Sequence, residues 1–327
     1  MADRSAGLVM RHRLAWLAAA GLAGIFTSPW ITAANGRLVT VARALMPWAG
    51  LTGAPLAVLA ARHSRRGVAI SGAVIAAATA AVCVPLLRRR PGPQADADAT
   101  ALSIMHANLL WTNHRARDVG PALRPLGVDV ITFSEYTPRH ARALHASALA
   151  EEYPHKIEIP AHRGSGIAMW SRYPLTPRAT VRTKHHTVVA DVHAPGRSLR
   201  VIVIHTQSPT VHHGDWLADL ETLATITVDG PTVMTGDFNA SWWHPEFRAV
   251  LGNTWRDAHV AVGRGLSCSW PTDQWHAIFR WHPPFVRLDH ALVSDEVALL
   301  DVMDLDVPGS DHLGLVVTVA PAAGAMT

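Results

Sequence analysis

The chain has 327 residues, 49% of them hydrophobic, and a formal net charge of +4. Residues 1–99 contain 11 Arg and 3 Asp, a balance of +8, whereas residues 100–327 contain 18 Lys and Arg and 22 Asp and Glu, a balance of −4. The acidic balance of the larger part argues against tight nucleic-acid binding, which depends on a basic face. The two cysteines stand far apart in the sequence and exclude a disulfide framework.

The first third of the chain predicts a membrane domain over residues 1–90. Uncharged runs of 21, 18 and 21 residues occupy positions 14–34, 44–61 and 67–87, and about 20 apolar residues cross a bilayer as one helix. We therefore expect about three transmembrane α-helices. Two alternatives stay open: Ala-rich helices buried in a soluble protein, and a cleaved signal peptide for the first run alone.

The arginines beside these runs indicate an orientation in the membrane. Six lie on the side of the N-terminus and five on the opposite side, which is a small preference for an internal N-terminus. Three spans then place the rest of the chain outside the cytoplasmic membrane. The Pro, Gly, Ala and Asp content of residues 91–100 predicts a linker, and residues 321–327 are expected to form a tail.

From residue 101 onward, short strand patterns alternate with helical ones. Strands are predicted at 102–109, 128–135, 166–171, 187–193, 199–206, 231–237, 286–294 and 313–320. Helices are predicted at 115–127, 138–152 and 215–228. This alternation indicates one mixed α/β domain over residues 101–320.

Acids, amides and histidines recur where these strands end. They are Asn108, Glu135, His205, Asp237, Asn239, Asp289, Asp311 and His312. In extended chain, Asp237 and Asn239 point the same way because they are two positions apart. Gly, Asp and Asn also form ordinary turns, so this stretch alone leaves both interpretations open. Gathered on one rim, the whole set would suit a hard cation such as Mg²⁺.

Seven segments carry a resemblance to a known family. They are HANLL, FSE, GSGIAMWSRYPL, IHTQSP, TGDFN, RLDHALVS and GSDHLGL. Their order and spacing over about residues 101–320 resemble the endonuclease/exonuclease/phosphatase superfamily. The resemblance implies a four-layer α/β/β/α sandwich, in which two packed mixed β-sheets are flanked by helices, here preceded by the transmembrane α-helices.

The resemblance also implies a metal site. Glu135 would be the main ligand of Mg²⁺ or Mn²⁺, with Asn108 and Asp311 contributing. No Cys and His set with zinc-ligand spacing is visible. The paired histidines at 185–186 and 212–213 are expected to be solvated loop residues.

The remaining catalytic roles follow from the same resemblance. Asp237 would orient and deprotonate the attacking water, while Asn239 and His205 would hold the phosphate oxygens. Asp289 would pair with His312 and keep that ring cationic against the phosphate. In-line attack by water needs such a base, a cation and fixed hydrogen-bond donors.

Tryptophans lie next to several of these motifs. Trp243 comes after the TGDFN segment, and Trp275 and Trp281 lie in the segment SWPTDQWHAIFRW. We expect the three to contact the substrate together with Asn239 and His205, because tryptophan favours the lipid–water interface. Packing in the core is the alternative interpretation for each.

The predicted function is that of a membrane-anchored, Mg²⁺-dependent phosphoesterase. It would hydrolyse a phosphate ester or diphosphate of an amphiphilic, lipid-linked substrate at the outer face of the cytoplasmic membrane, with the lipid bilayer as its partner. The alternatives are a membrane-tethered endonuclease or exonuclease, and an inactive envelope scaffold. Nucleic acid is the less favoured substrate, and no obligate protein partner is expected.

Overall fold

The computed structural model describes residues 2–32, 36–63, 65–96, 100–272 and 283–323. The chain forms two compact units, each treated by itself below. One contains Met1–Leu87 with Trp243–Pro245, and the other contains Arg88–Trp242 with Glu246–Thr327. Trp275 and Trp281, which were predicted to bind substrate, lie outside the described residues.

The smaller unit is helical. Its helices are α1 (Ala2–Thr27), α2 (Arg37–Ala44), α3 (Met46–Arg62) and α4 (Arg66–Cys83). With the turn that follows it, α4 gives 22 residues of mean hydropathy 2.2, enough to cross a membrane. Helices α2 and α3 meet the same standard only as a pair bent by 66°. The described residues thus offer one membrane-crossing helix, or two with the bent pair, and the three predicted spans are not confirmed.

Helices α3 and α4 pack closely, as the short link between Arg62 and Arg66 predicts. A Cβ at Gly72 would lie 2.7 Å from the carbonyl oxygen of Gly53, and one at Gly50 would lie 2.5 Å from Cβ of Thr79. Small residues at a helix interface allow the two backbones to approach each other. Larger side chains at these glycines would force the helices apart.

The described residues of the larger unit form twelve strands. In chain order they are β1 (Leu102–Asn108), β2 (Val130–Ser134), β3 (His155–Ile159), β4 (Ile167–Ser171), β5 (Leu175–Pro177), β6 (Val188–Ala194), β7 (Arg197–His205), β8 (Thr232–Asp237), β9 (Arg256–Asp257), β10 (Asp289–Val293), β11 (Val297–Asp306) and β12 (Leu313–Pro321). They build two six-stranded sheets, ordered β11-β12-β1-β2-β4-β3 and β5-β6-β7-β8-β10-β9. Strand β1 is parallel to β2 and β7 is parallel to β8, while the other pairs are antiparallel.

Five helices among the described residues lie on the outer faces of the two sheets. They are α5 (Ala116–Leu123), α6 (Pro138–His145), α7 (Leu149–Glu152), α8 (His213–Ala224) and α9 (Pro245–Leu251). A further short helix, α10 (Ala258–Ala261), packs in the hydrophobic cluster between the sheets. Ile104 of β1 packs in the cluster between the sheets, whereas the next residue, Met105, packs in the cluster that includes α5. Ile202 of β7 packs with Trp216 of α8. Successive residues of a strand face opposite sides, and the predicted order helix, sheet, sheet, helix is confirmed.

The predicted strands correspond to the interior of the sheets. Each of the eight predicted segments contains a strand or overlaps one. The four strands that were not predicted are β3, β5, β9 and β11, and all four lie at sheet edges.

The predicted linker is docked on the larger unit. Ala95 forms a β-bridge with Ala322, and the backbone N–H of Asp96 donates to the carbonyl oxygen of Pro321 at 3.1 Å. Since β12 runs from Leu313 to Pro321, the chain enters this unit at the end of β12 that is remote from Leu313. The polar rim described next lies at the Leu313 end.

Candidate active site

Polar residues at strand ends of both sheets meet on one rim. In the first sheet, Asn108 ends β1 and Glu135 follows the parallel strand β2. In the second sheet, Asp237 ends β8, and strand pairing places it beside His205 of β7 and opposite Asp289 of β10. The register of the sheets therefore fixes which side chains share the site.

The backbone at this rim takes conformations that are rare for residues with a side chain. Glu135 and Asn239 have φ values of 55° and 47°, and such left-handed positions cost about 1–3 kcal/mol each. Gly236 has a φ of 156°, and a Cβ there would lie 2.0 Å from the carbonyl oxygen of Ile204, so this position requires glycine. Strained positions of this kind concentrate at functional sites.

Glu135 is held by hydrogen bonds from two sides. Its Oε1 accepts from Asn108 Nδ2 at 3.3 Å, and its Oε2 accepts from the backbone N–H of Trp111 at 2.6 Å. Burial raises the pKa of Glu135, although the hydrogen bond from Trp111 and the charge of His312 oppose the rise. The amide oxygen of Asn108 accepts from the backbone N–H of Leu110 at 3.0 Å. To bind a metal ion held by Glu135, Asn108 would have to turn its amide oxygen away from Leu110 and toward Glu135.

Asp237 is buried where the two sheets meet. Its Oδ2 accepts from Asn108 Nδ2 at 3.0 Å, and its Oδ1 accepts from the backbone N–H of Asn239 at 2.8 Å. Burial raises the pKa of Asp237 to about 7, with the Asp289 carboxylate adding to the rise and the charge of His312 opposing it. A carboxyl group that titrates near neutrality can take a proton from water.

Asp289 and His312 form a buried pair. His312 Nδ1 lies 2.8 Å from Asp289 Oδ2, which also accepts from Ser269 Oγ at 2.7 Å. Burial by itself lowers the pKa of His312, but the charges of Asp289 and Asp237 outweigh it and raise the pKa well above its ordinary value. Burial by itself raises the pKa of Asp289, but His312 outweighs it and lowers the pKa to about 2. The pair is therefore an imidazolium and a carboxylate.

The turn before β12 brings Asp311 to the same rim. Asp311 Oδ2 accepts from Trp270 Nε1 at 3.1 Å, and its Oδ1 lies 3.9 Å from His312 Nε2. Ser310 Oγ donates to the carbonyl oxygen of Asn108 at 2.7 Å and accepts from the backbone N–H of His312 at 3.0 Å. These bonds tie the turn to the end of β1.

His205 faces Asp237 from the neighbouring strand. Its Nδ1 lies 2.8 Å from the carbonyl oxygen of Gly164 and 3.2 Å from Nδ1 of His185, while its Nε2 lies 3.6 Å from Asp237 Oδ2. Burial lowers the pKa of His205 well below its ordinary value, and His185 adds to the effect. A carbonyl can only accept, so the neutral ring carries its proton on Nδ1. Holding a phosphate oxygen, as predicted, then requires a proton on Nε2 as well.

His185 corrects one prediction. It was expected to be a solvated loop residue, but it is half-buried against His205, with ring centroids 4.5 Å apart. Its loop is fixed because the carboxylate of Asp219 accepts from the backbone N–H groups of Lys184 at 2.7 Å and Gln207 at 2.8 Å. The contact between His185 and His205 could not be predicted because the two residues are 20 positions apart in the sequence.

One of the three tryptophans predicted to contact substrate is buried. Trp243 is buried, with 7% of its surface exposed, so its ring is not presented to a substrate. Trp275 and Trp281 lie outside the described residues. Trp111, which sequence analysis did not single out, is 48% exposed, and its backbone N–H binds Glu135.

The donor set at the rim fits a hard divalent cation. The carboxyl groups of Glu135, Asp237, Asp289 and Asp311 converge there with the imidazolium of His312. Negative charge is thus in excess among these described residues, and the raised pKa values of Glu135 and Asp237 reflect it in part. Glu135 and Asp311 would hold Mg²⁺ or Mn²⁺, which prefer carboxylate oxygens. Bound there, the ion would neutralise charge developing on the phosphate.

A second set of residues satisfies the distance requirement for a metal site. Ligating atoms of Asp237, Asp289 and His312 lie within 4.8 Å of one another. However, His312 is bonded to Asp289 and its pKa is raised, and a protonated ring has no lone pair to give a metal. His312 is therefore not available as a metal ligand in this set.

The arrangement can support attack of water on a phosphate ester. Asp237 can accept the proton of the water, while His312 Nε2, 3.8 Å from Asp237 Oδ2, can donate to a phosphate oxygen. Asn239 Nδ2 donates to the carbonyl oxygen of Thr206 at 3.0 Å, and its second hydrogen remains for a ligand. Donors fixed in place before the reaction are the largest contribution to catalysis of this type.

The fold and this rim define the class: a metal-dependent hydrolase of phosphoester bonds. Residues 105–312 match the Endonuclease/Exonuclease/phosphatase family, and the chain belongs to this family. No curated protein matches the chain in sequence.

Solved structures share the fold of the larger unit at low sequence identity. A humanised TDP2 from D. rerio is 18% identical with a TM-score of 0.53, covering 67% of this chain and 98% of that one. An endonuclease/exonuclease/phosphatase from Beutenbergia cavernae is 17% identical with a TM-score of 0.51, covering 68% and 72%. Beta toxin from Staphylococcus aureus is 19% identical with a TM-score of 0.50, covering 66% and 99%.

Proposed function

We propose that the protein is a membrane-anchored, Mg²⁺-dependent phosphoesterase acting on the phosphate or diphosphate group of an amphiphilic substrate. The observation that carries the proposal is the environment of Asp237. This buried carboxyl group, with a pKa of about 7, faces the His312 imidazolium at 3.8 Å and shares the amide of Asn108 with Glu135. A base, a cationic donor and a carboxylate for a metal are the groups that in-line hydrolysis needs.

Membrane attachment is the second part of the proposal. Helix α4 with its following turn has the length and apolarity of a span. The topology of three spans, with the larger unit outside the cytoplasmic membrane, rests on the uncharged runs and on the count of flanking arginines.

The amphiphilic substrate is supported by charge and by Trp111. The balance of −4 over residues 100–327 disfavours a polyanion. Trp111, whose backbone N–H binds Glu135, has an exposed side chain that offers apolar surface near the rim. D. rerio TDP2, which shares the fold at 19% identity, has been crystallised with a single-stranded DNA product. The experiment must therefore distinguish a phosphoesterase that acts on amphiphiles from a nuclease.

The test uses the purified full-length chain in lipid nanodiscs. Phosphate release is measured from an isoprenoid diphosphate and from a phospholipid, and cleavage is measured on single-stranded DNA, each with Mg²⁺ and with EDTA. We expect Mg²⁺-dependent hydrolysis of at least one lipid substrate, faster than cleavage of DNA. Asp237→Asn and Glu135→Gln should each lower the rate by about 10²–10³-fold.

Glu151→Gln is the matched control, since Glu151 is an exposed acid on α7. It should retain the wild-type rate. DNA cleaved faster than every lipid would establish the nuclease alternative. Full activity in EDTA would remove the metal from the mechanism, and no turnover of any substrate would favour the inactive scaffold.

A further inference from the structure

A short turn lies at the edge of the polar rim, on the side of Glu135. The 3₁₀ turn Arg163–Ser165 precedes β4, and a Cβ built on Gly164 would lie 3.7 Å from Glu135 Cδ and 3.6 Å from His205 Cε1. Gly164 therefore touches both the expected metal ligand and the histidine of the site. Arg163 is its neighbour in the chain, with Cα atoms 3.8 Å apart across a trans peptide.

The turn is fixed from both ends. The backbone N–H of Ala161 donates to the carbonyl oxygen of Tyr136 at 3.0 Å, and the N–H of Tyr136 donates to the carbonyl oxygen of Gly166 at 3.0 Å. Between these bonds Arg163 adopts a left-handed backbone with a φ of 60°, although this conformation suits glycine better. The backbone of this exposed arginine is thus held one residue before Gly164, which contacts Glu135.

The charge of Arg163 is not used elsewhere in the part of the chain that the structure describes. Other cations near the rim have partners: Lys184 Nζ lies 3.1 Å from Asp215, and Arg287 Nη2 lies 2.7 Å from Asp304. No carboxylate within the described ranges pairs with the Arg163 guanidinium. An unpaired arginine carried by a turn that contacts the site can bind a further phosphate group through two parallel hydrogen bonds.

From this placement we propose that Arg163 forms an anion subsite for a second phosphate group of the substrate, adjacent to the one that is hydrolysed. The inference rests on the proposed phosphoesterase function and deepens it, because it assigns a diphosphate as the preferred substrate class. Glu135 and His205 contact Gly164 on the side where the phosphate would be hydrolysed. A diphosphate bound at the rim would therefore extend past Gly164 toward Arg163.

The experiment measures binding, so it does not depend on turnover. Isothermal titration of the full chain in nanodiscs, at a fixed concentration of free Mg²⁺, compares methylenediphosphonate with methylphosphonate. We expect the wild type to bind the diphosphonate more tightly, and Arg163→Gln to lower that preference by about 10–100-fold, as for loss of a hydrogen bond between charged groups. Arg163→Lys should keep part of it.

Arg142→Gln is the matched control, because Arg142 is an exposed arginine on α6. It should leave the preference unchanged. An equal preference in wild type and Arg163→Gln, an equal loss in both glutamine variants, or no preference in the wild type would each overturn the subsite. If the wild type binds the diphosphonate with this preference but hydrolyses nothing, the proposed function fails while the anion subsite stands.

Discussion

Two acid–histidine pairs lie back to back on strand β10. Asp289 pairs with His312 across 2.8 Å on the side of the active rim, and the next residue, His290, pairs with Asp257 across 2.6 Å on the opposite face. All four side chains are buried. The alternation of side chains along a strand separates the two pairs while placing them one residue apart.

The pairs differ in what the second ring nitrogen meets. His312 Nε2 lies 3.8 Å from Asp237 Oδ2, beyond hydrogen-bond distance, whereas His290 Nε2 lies 3.0 Å from the carbonyl oxygen of Ala240. A ring with an unused donor can serve a substrate, while a ring bonded at both nitrogens can only hold structure. Because Ala240 follows Asn239, the closed pair also fixes the loop beside the site. The same pair of groups is thus open to a ligand on one face of the strand and closed on the other.

The largest effect is expected from breaking the Asp289–His312 pair. His312→Gln keeps an amide that can bind Asp289 but removes the cationic donor. We expect the rate of phosphate release to fall by about 10²–10³-fold, as for loss of one preorganised donor. The unfolding temperature should also fall, because the buried Asp289 carboxylate loses its cation, so circular dichroism at the assay temperature must show that the variant is folded. A rate within tenfold of the wild type would remove His312 from the mechanism.

Breaking the Asp257–His290 pair should lower the free energy of unfolding. Asp257→Ala leaves His290 buried without its acid, which costs about 3–5 kcal/mol of unfolding free energy. Thermal unfolding of the purified protein measures this. Asp295→Ala is the control, because Asp295 is 71% exposed and pairs with Arg256 at 3.3 Å, so its loss should cost less than about 1 kcal/mol. Equal effects of the two changes would refute the structural role of the buried pair.

The same pair should make stability depend on pH. Burial by itself raises the pKa of Asp257, but His290 outweighs it and lowers the pKa from 3.8 to about 2. The contribution is complete above pH 3.8 and is lost as the pH falls through about 2. We expect Asp257→Asn to be less stable than wild type by about 2 kcal/mol at pH 6, from the size of this shift. Denaturation at pH 6 and below pH 3 should show this difference shrinking in acid, and a difference independent of pH would contradict it.

The smallest expected effect concerns Trp111, which the proposed function places in contact with the substrate but not in proton transfer. Trp111→Ala should raise KM for a lipid substrate about 3–10-fold, since partial burial of an indole contributes about 1 kcal/mol. The value of kcat should change little. Val211→Ala, at another exposed apolar residue, is the control. A fall in kcat with constant KM would place Trp111 in the chemical step.

The interior of the fold could be predicted from the sequence, and its edges could not. Strands such as β1 and β8 are buried along nearly their whole length, so apolar residues occur on both of their faces and mark them in the sequence. Every residue of the edge strand β3 is only partly buried. In β11 acids interrupt the apolar residues at Asp301 and Asp304, as is common where an edge faces water.

The candidate site shows a similar division. Polar residues at strand ends could be found because each interrupts an apolar run, and the structure brings Glu135, Asp237 and His312 together. Ser269 and Trp270 bind Asp289 and Asp311, but they lie in a segment without regular periodicity. Their contacts span 20 and 41 positions. Such contacts leave no local pattern because they depend on how distant segments pack.

The placement of the site by strand register has a consequence for how the protein can be divided. His205, Asp237 and Asp289 face one another only while β7, β8 and β10 are paired as observed. A slip of one residue would turn a whole strand's side chains to the opposite face. The catalytic groups come from segments up to 204 positions apart, from Asn108 to His312. A fragment that lacks any of these strands is therefore expected to be inactive, and turnover would itself report that both sheets have assembled correctly.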